Sequence, residues 1–172
     1  MNTTHLHLLL NHFPIIGTLI GSGLLLWGIV RKQNTIKTAA ALVLAVMAII
    51  AIPVYLTGEP AEESVENLPG ISGSLIELHE EAAVIAIWLM GITGLASLGA
   101  LLFAWQKRKA TGTVFILVLI LSVFAFGTMA RTGYYGGQIR HTEIRNVNAA
   151  QVDSQQGDQE ESKGGEKDDD DD

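Results

Sequence analysis

The 172-residue chain is 48% hydrophobic and only 17% charged, with a mean hydropathy of +0.32. Its net charge of −7 belongs to the C-terminus: residues 153–172 hold ten acids against two lysines, whereas residues 1–152 sum to +1. A nucleic-acid surface is disfavoured because no basic stripe interleaves with aromatics, and the absence of cysteine excludes disulfides, thiolate metal sites, iron–sulfur clusters and covalent haem attachment.

Four apolar runs follow one another along the chain. The first, residues 6–30, is interrupted early by His7, Asn11 and His12. The second is 38–56, with Pro53 expected to kink it near its end. The third, 75–105, has no charge from Ala82 to Trp105, and the fourth is 113–130, ending near Arg131. A helix crosses the hydrocarbon layer with roughly 17–25 largely apolar residues, and none of these runs keeps the polar face of a water-soluble helix. The expected fold is therefore all-α: a four-helix transmembrane bundle over residues 1–146. The remainder, 147–172, is too polar to bury itself and is expected to be a disordered acidic tail.

The connectors set an orientation. Arg31, Lys32 and Lys37 lie in the first, and Lys107, Arg108 and Lys109 in the third, with no acid in either. The second has Glu59, Glu62, Glu63 and Glu66 and no base. Basic loops stay in the cytoplasm, which places both termini on the outer, periplasmic side of a bacterial inner membrane. Arg131, Arg140 and Arg145 count against this, but the short loops are unanimous. Small residues are spaced for close helix packing in lipid. These are Gly17, Gly21 and Gly28 in the first span, and Ala83, Ala86, Met90, Thr93 and Ser97 beside His79 in the third. Trp27 and Trp105 suit an aromatic belt, and Trp88 is expected to pack.

All five histidines (His5, His7, His12, His79 and His141) fall on the outer side in this orientation, as do all the carboxylates. Ionisable groups inside a membrane segment point to a functional site. His12 and His79 each lie about 9 Å into parallel spans at 1.5 Å per residue. His5 shares the face of His12, seven residues on, and His7 lies on the other side. Two opposed imidazoles suit haem b, with Arg131 placed to pair with its propionates. A divalent ion is the other ligand, held by His12, His79 and a glutamate such as Glu80. His141 joins them if the Gly136–Gly137 segment folds back. Glu80 and Glu81 also complement the positive end of their helix, and His5 and His7 suit the interface. The expected work is electron transfer with quinol or a periplasmic redox protein. The alternatives are a periplasmic-side copper- or zinc-binding membrane protein and a non-catalytic scaffold or accessory subunit that holds a basic partner on its acidic loop and tail. No nucleotide-binding, serine-hydrolase or zincin motif is present.

Several segments together resemble a known family. They are His5 to Gly17, with His12-Phe13-Pro14 at its centre, Leu56 to Glu62, Glu77 to Ala82, and Thr132 to His141. This pattern is similar to an uncharacterised bacterial family of four-helix inner-membrane proteins. That family has a His-Phe-Pro motif in helix 1, a histidine at the head of helix 3 and a Gly-Gly motif after helix 4. The resemblance covers about residues 5–146. It implies the four-helix fold and the importance of His12, His79, Gly136, Gly137 and His141, and supplies no reaction.

Overall fold

The computed structural model describes residues 2–141, 144 and 145. The acidic tail expected over 147–172 lies outside the described residues. These form six helices and no strand: α1 (Thr3–Leu10), α2 (His12–Val30), α3 (Asn34–Leu56), α4 (Gly58–Glu63), α5 (Gly73–Trp105) and α6 (Thr111–Arg140). Taking α1 and α2 as one, four of them are long and apolar enough to cross a membrane, which marks a multi-pass membrane protein.

The first span is divided at Asn11 for a local reason. Pro14 has no N–H to offer the carbonyl of Leu10, four residues back, so the helical ladder loses a rung there. Asn2 caps the start, its side chain accepting from the His5 N–H at 2.9 Å.

Small side chains line the closest helix contacts, and many large apolar ones face outward. Pro14, Thr18, Gly21, Ser22, Leu25 and Gly28 form the buried seam of α2, while Leu19, Ile20, Leu95 and Phe124 are more than half exposed. Close approach requires this. A Cβ on Gly17 would collide with Met47 Sδ, one on Gly21 would come within 2.8 Å of Leu44, and one on Gly94 would strike Ala48 Cβ. Two core clusters result. One joins Leu25, Ala40, Ala41, Leu44, Ala100, Phe115 and Val118; the other joins Ala51, Ala86, Met90, Ala125 and Met129.

Buried hydroxyls are satisfied within the bundle. Ser22 Oγ donates to Ser122 Oγ at 2.8 Å and also lies 2.7 Å from the Thr18 carbonyl, and Ser97 donates to Thr93 O. Trp88 is 71% exposed and lies on the lipid-facing surface. The expected packing role is thus corrected: the buried face of α5 runs through Ala82, Ala86, Met90, Thr93 and Ser97, and Trp88 lies off it.

Helix α6 runs ten residues beyond the expected end at 130, through Gly136 and Gly137 to Arg140. Nothing from Thr132 to Arg140 breaks a helix outright: there is no proline, and the buried seam Phe115, Val118, Ser122, Ala125, Met129 continues in register to Thr132 and Gly136. Arg145 closes this end. Its Nε donates to Gln138 O at 2.9 Å, and its Nη2 donates to Ile139 O at 2.9 Å and to Gly70 O at 2.6 Å. One cation thereby caps α6 and ties it to the loop before α5.

Candidate functional site

The polar end of the bundle is organised around two imidazoles, His7 on α1 and His79 on α5. The His7 Nδ1 lies 3.0 Å from Val54 O and 3.3 Å from Thr57 Oγ1. The His79 Nδ1 lies 2.9 Å from Thr132 O. A carbonyl only accepts, so both Nδ1 atoms carry the hydrogen and donate it, leaving Nε2 as the open position of each ring.

A glycine stands four residues after each carbonyl, but only one of the two is needed for clearance. In a helix the side chain of residue i+4 stands beside the carbonyl of residue i. Four residues after Val54 is Gly58, and four after Thr132 is Gly136. A Cβ on Gly58 would lie 3.7 Å from His7 Cε1, and one on Gly136 would lie 2.9 Å from His79 Cε1 and 3.0 Å from its Nδ1. Gly136 is therefore required by the seating of the His79 ring, and not by a turn.

The short helix α4 supplies the third member. Pro60 sits in its first turn, where a missing N–H costs no bond. Glu62 points inward: its Oε1 lies 3.8 Å from His79 Nε2, and both side chains are only 14% exposed. Burial pushes the Glu62 carboxyl up to about 8; contact with Glu80, then the negative charges of Glu80 and Glu59, add to it. Two ionised carboxylates cannot hydrogen-bond each other, so the Glu62–Glu80 contact is a bond only while one of them holds a proton.

Two buried side-chain oxygens at this end, Glu62 Oε2 and Asn11 Oδ1, have no hydrogen-bond partner. Asn11 Oδ1 is an acceptor, as is a neutral imidazole Nε2, and Glu62 becomes one when its carboxyl loses its proton. Among the described residues, no group of three His, Cys, Asp or Glu side chains is already drawn together tightly enough to hold a metal ion.

The expected site residues divide. His79 and Glu80 belong to this cluster. His12 is exposed at the start of α2, and the histidine close enough to act electrostatically on His79 is His7. The inward partner on the first span is therefore His7, because the buried seam of α2 runs back from Gly28 through Gly21, Thr18, Pro14 and Asn11 to His7 in alternating steps of three and four. His12 and His5 lie off that line and are exposed. Arg131 is exposed and stacks on Tyr135, 5.4 Å from the ring centroid. His141 is exposed and follows the last turn of α6; Gly136 and Gly137 are helical and do not fold it back over the bundle.

Glu62 reads in the sequence only as loop charge, and His7 only as an interfacial residue. The signal for His7 was present in the heptad-like seam. The signal for Glu62 was weaker: a helix-compatible Thr-Gly-Glu-Pro start whose inward face only the packing of α4 on α1 reveals. No family model, curated protein or solved structure matches the chain.

Proposed function

We propose that this protein binds a divalent transition-metal ion at the polar end of its bundle, through Nε2 of His79, Nε2 of His7 and the carboxylate of Glu62, with Glu80 beside them. One observation carries the reading: both imidazoles are already held by Nδ1–H bonds to backbone carbonyls with Nε2 left open, and a buried Glu62 carboxyl stands 3.8 Å from one of those Nε2 atoms. Such Nδ1–H bonds fix a histidine ligand in tautomer and direction, and imidazole with a carboxylate that gives up its proton suits a cation of the zinc or copper class. The ion would neutralise the buried carboxylate and bridge α1, α4 and α5. Glu62 rides on a helix of only six residues, the element best able to close on it.

Haem b draws on the same Nε2 atoms. Glu62 Oε1 stands 3.8 Å from His79 Nε2, the atom that would have to bind the iron, which favours the smaller bare ion. In this reading the two basic connectors are cytoplasmic and the site faces the periplasm of a bacterial inner membrane. There a redox-active ion would exchange electrons with quinol or a periplasmic redox protein.

The test begins with the full chain in mild detergent: its visible spectrum, its metal content, and titration with Zn(II) and Cu(II). His79→Ala and His7→Ala should each abolish high-affinity binding, and His12→Ala and His5→Ala should leave it intact. A Soret band would assign haem b in place of the bare ion. Equal binding by all four variants would refute the ligand set. A colourless protein that binds neither ion would leave the scaffold reading.

A further inference from the structure

The opposite end of the bundle carries a second feature. The α2–α3 and α5–α6 connectors lie together there and are built alike. After α2, the Gln33 N–H donates to Gly28 O at 2.9 Å and the Lys32 N–H to Ile29 O at 3.1 Å. After α5, the Arg108 N–H donates to Phe103 O at 3.0 Å and the Lys107 N–H to Ala104 O at 3.2 Å. Both are the paired-bond helix ending in which one residue takes the left-handed conformation, a place usually filled by glycine. Here it is filled by lysine twice, Lys32 at φ 54° and Lys107 at φ 53°. A side chain is strained there. The helix dipole alone does not call for it, since Arg31 and Arg108 already stand beside those positions without that strain.

The surroundings are cationic and flush with apolar surface. Residues 31–37 and 106–110 hold Arg31, Lys32, Lys37, Lys107, Arg108 and Lys109 and no acid. Arg31 lies over the Trp27 ring at 5.6 Å, and Lys37 Nζ over the Phe115 ring at 5.5 Å, which places Lys37 between the two connectors. Trp27 is 56% exposed and Trp105 81% exposed, just inside the cations. Exposed indoles at a helix end mark the depth of lipid headgroups. A molecule that matches this surface has an anionic head and an apolar body that continues along the helices.

We propose that this end of the bundle is a binding site for anionic phospholipid, with Lys32 and Lys107 held at strained positions so that their charges reach the headgroup phosphate. The surface is independent of the histidine site. Each lysine near an anionic headgroup is worth about fivefold in affinity, and the pair about 25-fold.

The experiment titrates the full chain in mild detergent with phosphatidylglycerol, phosphatidylcholine and inorganic phosphate, reading bound lipid by native mass spectrometry and stability by melting. The wild type should prefer phosphatidylglycerol and melt higher with it. The double variant Lys32→Gly/Lys107→Gly should melt above the wild type in detergent alone, its strain relieved, yet lose most of the preference. Lys32→Arg/Lys107→Arg should keep it. The proposal is overturned if the glycine variant retains the preference or melts lower. It is likewise overturned if inorganic phosphate stabilises the wild type as well as phosphatidylglycerol does.

Discussion

Replacing Gly136 with alanine adds one methyl group against the His79 ring, and the structure gives the size of the effect. The new Cβ would lie 2.9 Å from Cε1 and 3.0 Å from Nδ1, inside the ordinary 3.5–4.0 Å carbon contact. The ring must retreat by about half an ångström or more. Its Nδ1 bond to Thr132 O, now 2.9 Å, is then stretched to the edge of a hydrogen bond. Overpacking of this kind costs about 1–3 kcal/mol, and a lost buried hydrogen bond about 1 kcal/mol more. Alanine returns up to about 1 kcal/mol as the better helix former. A net loss of about 1–3 kcal/mol is expected in detergent unfolding. If His79 is a ligand, metal affinity should also fall by about 10–100-fold, as when the second partner of a ligating histidine is removed. Gly127 on the same helix is the control, because a Cβ there meets nothing within 4 Å. Gly127→Ala should be neutral or stabilising. Equal behaviour of the two variants would refute the claim that Gly136 exists to seat the imidazole.

Three further outcomes are expected. The Glu62 carboxyl is raised from 4.5 to about 8 in the folded chain. Its favourable contribution is therefore complete below about pH 4.5 and is lost as pH rises to about 8. The loss is spread across that range and is shared with Glu80. Glu62→Gln should match the wild type at acid pH and become the more stable protein as pH rises; parallel melting profiles from pH 5 to 9 would contradict this. Gly17→Leu should separate α2 from α3 at Met47 and lower stability by about 1–3 kcal/mol or more, whereas Gly23→Leu, in open space, should not. Ser122→Ala should cost about 1–2 kcal/mol in unfolding by removing the Ser22–Ser122 bond, and a cost of zero would show that the pair is not formed.

Much of the architecture was legible because a bilayer demands it. Runs of 18 or more apolar residues must become helices, since each backbone polar group has to find its partner within its own segment. Composition alone therefore showed an all-helical chain with four candidate spans, and small-residue spacing marked Gly17, Gly21, Met90 and Thr93 as inward or contact positions before any coordinates. His79 was readable in the same way, because it sits on the line of Ala86, Met90, Thr93 and Ser97.

The membership of the site was not legible, for geometric reasons. The relation among His5, His7 and His12 follows from 3.6 residues per turn, but periodicity states only which residues share a face. Which face turns inward is decided by neighbours, here α3 packed on Gly17 and Gly21 and the Val54 carbonyl offered beside Gly58. Glu62 is further from sequence reasoning still. It lies in an acidic connector whose six-residue helix is too short to be stable alone, and only its packing against α1 turns the carboxylate toward His79. Local chemistry thus determined the helices and the polarity of the two ends. The tertiary contacts chose the facing side chains, because a helix rotates about its axis without changing any bond along its own backbone.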